Sequence, residues 1–157
     1  MSDFDRYMGD AGQSGLFTRL TRVGLLLDAF QHRCLDEFGL RFIDFSVLRV
    51  LQLAGELSPS ELADITVRST GGMTQIVDRL VRSGLVGRTA HPEDRRKVFV
   101  ALTPKGRRLV EQAGRSYERE RARVLGPLSD VELVEIDGAV RRLLDLFEGD
   151  AAEEAAS

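Results

Sequence analysis

Residues 77–106 read VDRLVRSGLVGRTAHPEDRRKVFVALTPKG, and their punctuation divides them into helix, hairpin and helix. Val77 and Leu80 continue a helical spacing that starts at Met73 and Ile76, and Gly84 closes it. Val86 to Ala90, and then Val98, Val100 and Leu102 in alternation, read as two strands joined across the charged tip HPEDRR. Thr103 before Pro104 sets a cap and a pre-bent first residue for the next helix. That helix carries Leu109, Ala113 and Tyr117 to about Leu125, where Gly126 and Pro127 break it.

Upstream, SPSE at residues 58–61 supplies a serine cap, a proline at the first helical position and a glutamate at the third. The short helix it opens runs through Leu62 to about Ile65; after Thr66, Val67 and Arg68, Ser69 or Thr70 caps the helix of Met73. Two helices so close together fit a helix-turn-helix, whose second helix can enter a DNA major groove, and a basic hairpin beside it makes a wing. Residues 42–54, FIDFSVLRVLQLA, are apolar on nearly every side and predict a buried central helix. Further out, Leu16, Leu20, Val23, Leu27, Phe30 and Cys34 form the seam of a long helix ended by Gly39. At the other end, Ser129 and Glu132 form a capping box ahead of a second seam, Leu133, Ile136, Val140, Leu143 and Phe147. The reading is a mainly α fold with a small β-hairpin, a winged helix-turn-helix flanked by N- and C-terminal helices. Residues 1–14 and the acidic stretch 148–157 read as flexible ends.

A length of 157 residues suits one domain, and 43% hydrophobic with 30% charged residues suits a globular protein with a real core. One cysteine and two histidines, His32 and His91, give no disulfide framework and no ordinary zinc site, so no metal and no cofactor is expected. No run of eighteen apolar residues exists and the N-terminus opens on acidic residues, so no membrane association and a cytoplasmic location are expected. The formal charge of −3 hides an asymmetry: residues 60–110 hold ten Lys/Arg against five Asp/Glu. That local excess suits a phosphate-bearing partner. An enzyme reading fails for want of apparatus. His32 and Cys34, two apart on a helix, point to different sides.

The order of elements, together with residues 77–106, resembles the MarR family of winged helix-turn-helix transcriptional regulators. The wing motif appears as Asp94, Arg96, Val98, Val100, Leu102, Thr103 and Gly106, and the end of the recognition helix as Leu80, Gly84, Leu85 and Val86. In element order the resemblance spans about residues 16–147; its motif strength lies in 58–106. It implies a MarR-like domain over 15–147, with a winged helix-turn-helix at about 42–103 and dimerisation helices at about 16–38 and 104–147. The implied partners are double-stranded DNA, a second copy of the chain and a small-molecule effector. The implied activity is sequence-specific repression at a pseudo-palindromic operator.

The resemblance makes residues 69–83 the recognition helix. Ser69, Thr70, Thr74 and Gln75 are then placed toward base edges or phosphates, with Gln75 the best reader of adenine. Arg68, Arg79 and Arg82 are expected on phosphates. At the wing, Asp94 holds Arg96 extended toward the minor groove while Arg95 and Lys97 flank it. Gly71 and Gly72 depart from the family pattern and either admit phosphate to the backbone or loosen the first turn. The expected effector is anionic or aromatic, with Arg22, His32 and Arg49 as candidate cations and Phe42 and Phe45 as candidate walls. The expected dimer interface uses Leu16, Leu20, Val23, Leu133, Ile136, Val140, Leu143 and Phe147. Two alternatives stand beside this reading: a winged-helix protein-interaction module with no operator, and a regulator that senses oxidants through Cys34.

Overall fold

A computed structural model describes residues 12–66, 70–90 and 98–155. Helix α1 (Gln13–Leu35) runs into a 3-10 turn (Asp36–Phe38), which Gly39 ends in the left-handed conformation at φ 63°. Helix α2 (Phe42–Ala54) follows, then a two-residue strand β1 (Glu56–Leu57) and helix α3 (Pro59–Ile65). Helix α4 (Thr70–Arg82), strands β2 (Val86–Ala90) and β3 (Val98–Leu102), and the long helices α5 (Pro104–Leu125) and α6 (Asp130–Ala155) complete the order. The architecture is therefore mainly helical with a small antiparallel sheet, as the sequence predicts. The sheet has the order β1-β3-β2, with Leu57 and Arg88 both paired to Val100. The third strand, β1, is not foreseen by the sequence reading.

Two compact units divide the chain after Glu118. In the first, Leu35, Leu48, Leu51, Leu62, Met73, Leu80, Val100 and Val110 are fully buried, so α1 to α5 and the sheet share one core. Only the last part of α1 reaches it. Phe30 packs against the core, and Cys34 and Leu35 are inside it, whereas Phe17, Val23, Leu25, Leu26 and Leu27 are exposed. Burial of Cys34 removes its thiol from the surface that an oxidant would reach.

The second unit carries α6, whose Val131, Val134, Ile136, Val140, Leu144 and Phe147 are exposed. Expected as flexible from residue 148, the chain instead remains helical through Ala155, because the stretch after Gly149 is rich in Ala and Glu, both strong helix formers.

The starts of α3 and α6 follow the caps that the sequence predicts. Ser58 accepts the Glu61 backbone N–H at 3.3 Å, and the Glu61 carboxylate accepts the Ser58 N–H at 2.7 Å. The same box recurs at α6, where the Glu132 carboxylate accepts from the Ser129 N–H at 2.8 Å and from its hydroxyl at 2.7 Å. The Ser129 side chain first, and then its backbone, hold the Glu132 carboxyl below the usual carboxylate range. Because the folded form binds its proton less readily, this cap is complete at neutral pH. It is lost as pH falls through and below that range. The protection of the first-turn amides of α6, their exchange measured against the intrinsic rate at each pH, should therefore fall between pH 7 and pH 3. Ser129→Ala should show the lower protection already at pH 7.

Candidate nucleic-acid interface

Helix α4 turns one face inward and another outward. Met73, Ile76, Val77 and Leu80 are buried, at helical spacing, while Thr74, Gln75 and Arg82 are exposed. Gln75, the expected reader of adenine, is thus on the exposed face. Thr70 supplies the first helical residue. Arg68 and Ser69, and the wing residues Asp94, Arg95, Arg96 and Lys97, lie outside the described residues.

Three connections fix α4. Arg79, expected on phosphate, gives its Nη2 to Oδ1 of Asp44, a buried carboxylate on α2. The pairing has a simple cause: position 79 lies between the buried and exposed faces, and its long side chain reaches the one acid sunk in the apolar α2. Asp78 accepts from Arg88 Nη2 at 2.6 Å, tying α4 to β2. The third connection closes the helix. Gly84, at φ 68°, donates to the Val81 carbonyl at 2.9 Å while Leu85 donates to Leu80 at 3.0 Å.

The start of α5 is built onto that closure. The Thr103 hydroxyl donates to the Gly84 carbonyl at 2.8 Å, Thr103 N–H donates to the Leu85 carbonyl at 3.0 Å, and Lys105 Nζ donates to the Ser83 carbonyl at 2.8 Å. Gly106 N–H returns to the Thr103 hydroxyl at 3.0 Å. The backbone of Gly106 approaches so near that a Cβ there would lie 2.9 Å from the Leu85 carbonyl carbon and closer still to its oxygen. The Leu-Thr-Pro-Lys-Gly run thus holds the turn that follows α4 by the carbonyls of Ser83, Gly84 and Leu85.

Gly71 has open space around its missing Cβ. It also sits in the first turn of α4, where a glycine costs less than in a helix interior. Gly71→Ala should therefore stabilise the fold by no more than about 1 kcal/mol. Chemical denaturation and DNA titration together separate its two readings. Gained stability with unchanged DNA affinity marks a loosened turn; gained stability with lost affinity marks a backbone that phosphate approaches.

A pocket of about 540 Å³ opens between α1, α2 and α3, lined among others by Asp28, His32, Arg41, Phe42, Ser46 and Ile65. Two of the sequence candidates, His32 and Phe42, meet there. Arg41, which the sequence reading missed, is the pocket's arginine, and its place at the α2 cap was the available signal. Phe45 does not line it. That ring is buried in a stack with Tyr117 at 5.4 Å between centroids, joined by Phe30 and Phe42, because its side of α2 faces α5. Arg49 is likewise placed elsewhere, donating to Gln52 at 2.8 Å beside Glu111, Gly114 and Arg115 of α5. Arg22 lies ten residues before His32 on α1 and is not among the residues lining this pocket. His32 itself is paired with Asp28 at 3.5 Å. Among the described residues no cluster of three metal-ligating side chains occurs, and no helix is long and apolar enough to cross a membrane.

Comparisons with known proteins agree with this geometry. The model of the MarR family matches residues 38–97. The transcriptional repressor YetL of Bacillus subtilis is 33% identical over 141 residues, which cover 88% of this chain and 83% of that protein. Among solved structures, a MarR variant from Escherichia coli complexed with operator DNA superposes with a TM-score of 0.76 at 25% identity, covering 82% of this chain and 93% of that one. BpsR of Bordetella bronchiseptica, whose DNA binding is regulated by 6-hydroxynicotinic acid, gives 0.77 at 28% identity, covering 87% and 99%.

Proposed function

Since this chain belongs to the MarR family of winged-helix transcriptional regulators, we propose that it represses transcription as a homodimer bound to a pseudo-palindromic operator. The observation that carries this reading is the division of labour on α4. Its inner face and its Arg79 and Asp78 anchor it, which leaves Thr74 and Gln75 outward with no structural duty of burial. A helix held so firmly, with polar side chains presented outward, suits major-groove reading. Arg82, exposed on the same helix, and Arg68, Ser69 and Thr70 at its start take phosphates or base edges. Asp94, Arg95, Arg96 and Lys97 form the wing, with Arg96 in the minor groove.

Homodimerisation accounts for the apolar surface of α1 and α6. Leu16, Val23, Ile136, Val140 and Phe147 are each more than two-fifths exposed, a display that monomeric proteins avoid. The winged module is then assigned to about residues 42–103 and dimerisation to the helices at about 16–38 and 104–147. The protein acts where the chromosome is, in the cytoplasm. The related repressor YetL and the operator complex of MarR support the DNA assignment, and BpsR supports release by a small anionic aromatic molecule. The α1–α2–α3 pocket, with Arg41, His32 and Phe42, is the site we assign to that molecule.

The test is selection of random duplex DNA by the purified protein at about 150 mM salt, where nonspecific binding is weak. A two-fold-symmetric sequence with half-sites about 10 bp apart is expected. Arg96→Ala should bind that sequence roughly tenfold or more weakly, the worth of one good groove contact. Failure of the folded, dimeric protein to enrich any sequence would move the assignment to a protein-interaction module. Unchanged affinity in the variant would remove Arg96 from the interface.

A further inference from the structure

Arg41 belongs to two neighbourhoods. It caps α2 in extended backbone, its side chain lines the α1–α2–α3 pocket, and its Nε donates to Oδ2 of Asp44 at 3.4 Å. Asp44 is the carboxylate that takes Arg79 from α4 on its other oxygen. One buried anion therefore stands between a cation of the pocket and a cation of the recognition helix. The two halves differ in strength. Arg41 is 57% exposed and its hydrogen bond is long, so it exchanges partners at little cost. Arg79 is more enclosed, and its Nε is buried without a hydrogen-bond partner among the described residues. An arginine with one donor used and the adjacent donor buried and vacant is half of a fork whose second tine a carboxylate oxygen can fill.

We propose that Arg41, Asp44 and Arg79 form a switch through which a carboxylate held in the α1–α2–α3 pocket changes the hold on α4. This rests on the effector reading of the pocket given above. A ligand carboxylate competes with Asp44 for Arg41. Once Arg41 turns to the ligand, Oδ2 of Asp44 is released and accepts from the vacant Arg79 Nε, turning a single bond into a bidentate pair. The bridged and bidentate arrangements are discrete, and they set Arg79, and with it α4, differently against α2. A carboxylate favours the second arrangement because only there does Arg41 offer it the Nε that Asp44 otherwise holds, which is the differential affinity that a population shift requires. An aromatic body behind the carboxylate suits Phe42, Ile43 and Ile65 of the same pocket.

The experiment uses the full chain with benzoate as the probe, reading affinity by calorimetry and the hydrogen exchange of the Thr70–Arg82 amides. In the unmodified protein benzoate should bind and change α4 exchange by roughly fivefold, the lower range of measured site-to-site coupling. Asp44→Asn, which keeps the shape but removes the charge that competes for Arg41, should bind benzoate at least as tightly and leave α4 exchange unmoved. Arg41→Gln, a change at an exposed side chain that leaves the core intact, should bind benzoate roughly tenfold more weakly. At saturation it should show no α4 response. An α4 response that survives in either variant overturns the switch, as does bound benzoate with no α4 response, or no benzoate binding, in the unmodified protein. None of these readouts involves DNA, so failure of the operator selection would strike the repressor reading alone.

Discussion

Gly106→Ala is expected to cost about 3 kcal/mol, near the upper range for forcing one added carbon into a packed site. The new Cβ would overlap the Leu85 carbonyl, and this group cannot retreat. It accepts from the Thr103 N–H at 3.0 Å and from the Thr103 hydroxyl at 3.2 Å, so moving it breaks the joint between α4 and α5. At 157 residues such a loss should lower the thermal midpoint by about 6–12 °C at matched protein concentration. Gly138→Ala is the matched control. Its nearest obstacle is the flexible end of Arg142 at 3.9 Å, in the middle of α6, so it should raise stability by up to about 1 kcal/mol. Equal melting of the two variants would mean that α5 can shift away from Leu85, and that the glycine is not required for the approach.

Arg79→Ala is expected to destabilise the protein by about 2–3 kcal/mol, because it strands a buried carboxylate. The value lies below the full cost of an uncompensated buried charge for two reasons: Arg79 is 31% exposed, and Asp44 keeps Arg41. Arg82→Ala, three residues on, should cost no more than about 0.5 kcal/mol, since Arg82 is exposed and, among the described residues, donates to the Asp78 carbonyl of its own helix. DNA binding should invert the ranking in one respect. Losing Arg82 should lower the slope of log affinity against log salt by about 1, the signature of one phosphate contact. Losing Arg79 should weaken binding with the slope unchanged. If Arg79→Ala instead lowers the slope and spares stability, the arginine leaves Asp44 to meet phosphate when DNA arrives.

Those two arginines also show where the sequence was legible. The strongest short-range signals could be read: the SPSE cap, the alternation of Val98, Val100 and Leu102, and the Gly84 stop. Arg79 could not, because its partner is 35 residues away on α2, and a single acid in the apolar run FIDFSVL gives no sign of which cation it will meet. Phe42 and Phe45 posed the same difficulty in apolar form. Three residues apart on one helix, they look equivalent as pocket walls; both meet Tyr117 of α5, and only the tertiary packing leaves Phe42 partly exposed to the pocket while Phe45 is buried. Strand β1 escaped notice because two residues, Glu56 and Leu57, carry no period; β3 imposes their extension by pairing. The acidic end reads as flexible because its residues are small and acidic with nothing to pack, whereas α6 continues through Ala155 on alanines and glutamates that favour helix.

The anchoring of α4 carries a consequence for how such a protein can diverge. The buried and ion-paired side chains that hold the helix, Met73, Ile76, Val77, Asp78, Arg79 and Leu80, are distinct from the outward Gln75. Duplicated copies can therefore exchange that residue, and drift to separate addresses on a chromosome, without renegotiating the core that keeps each of them folded.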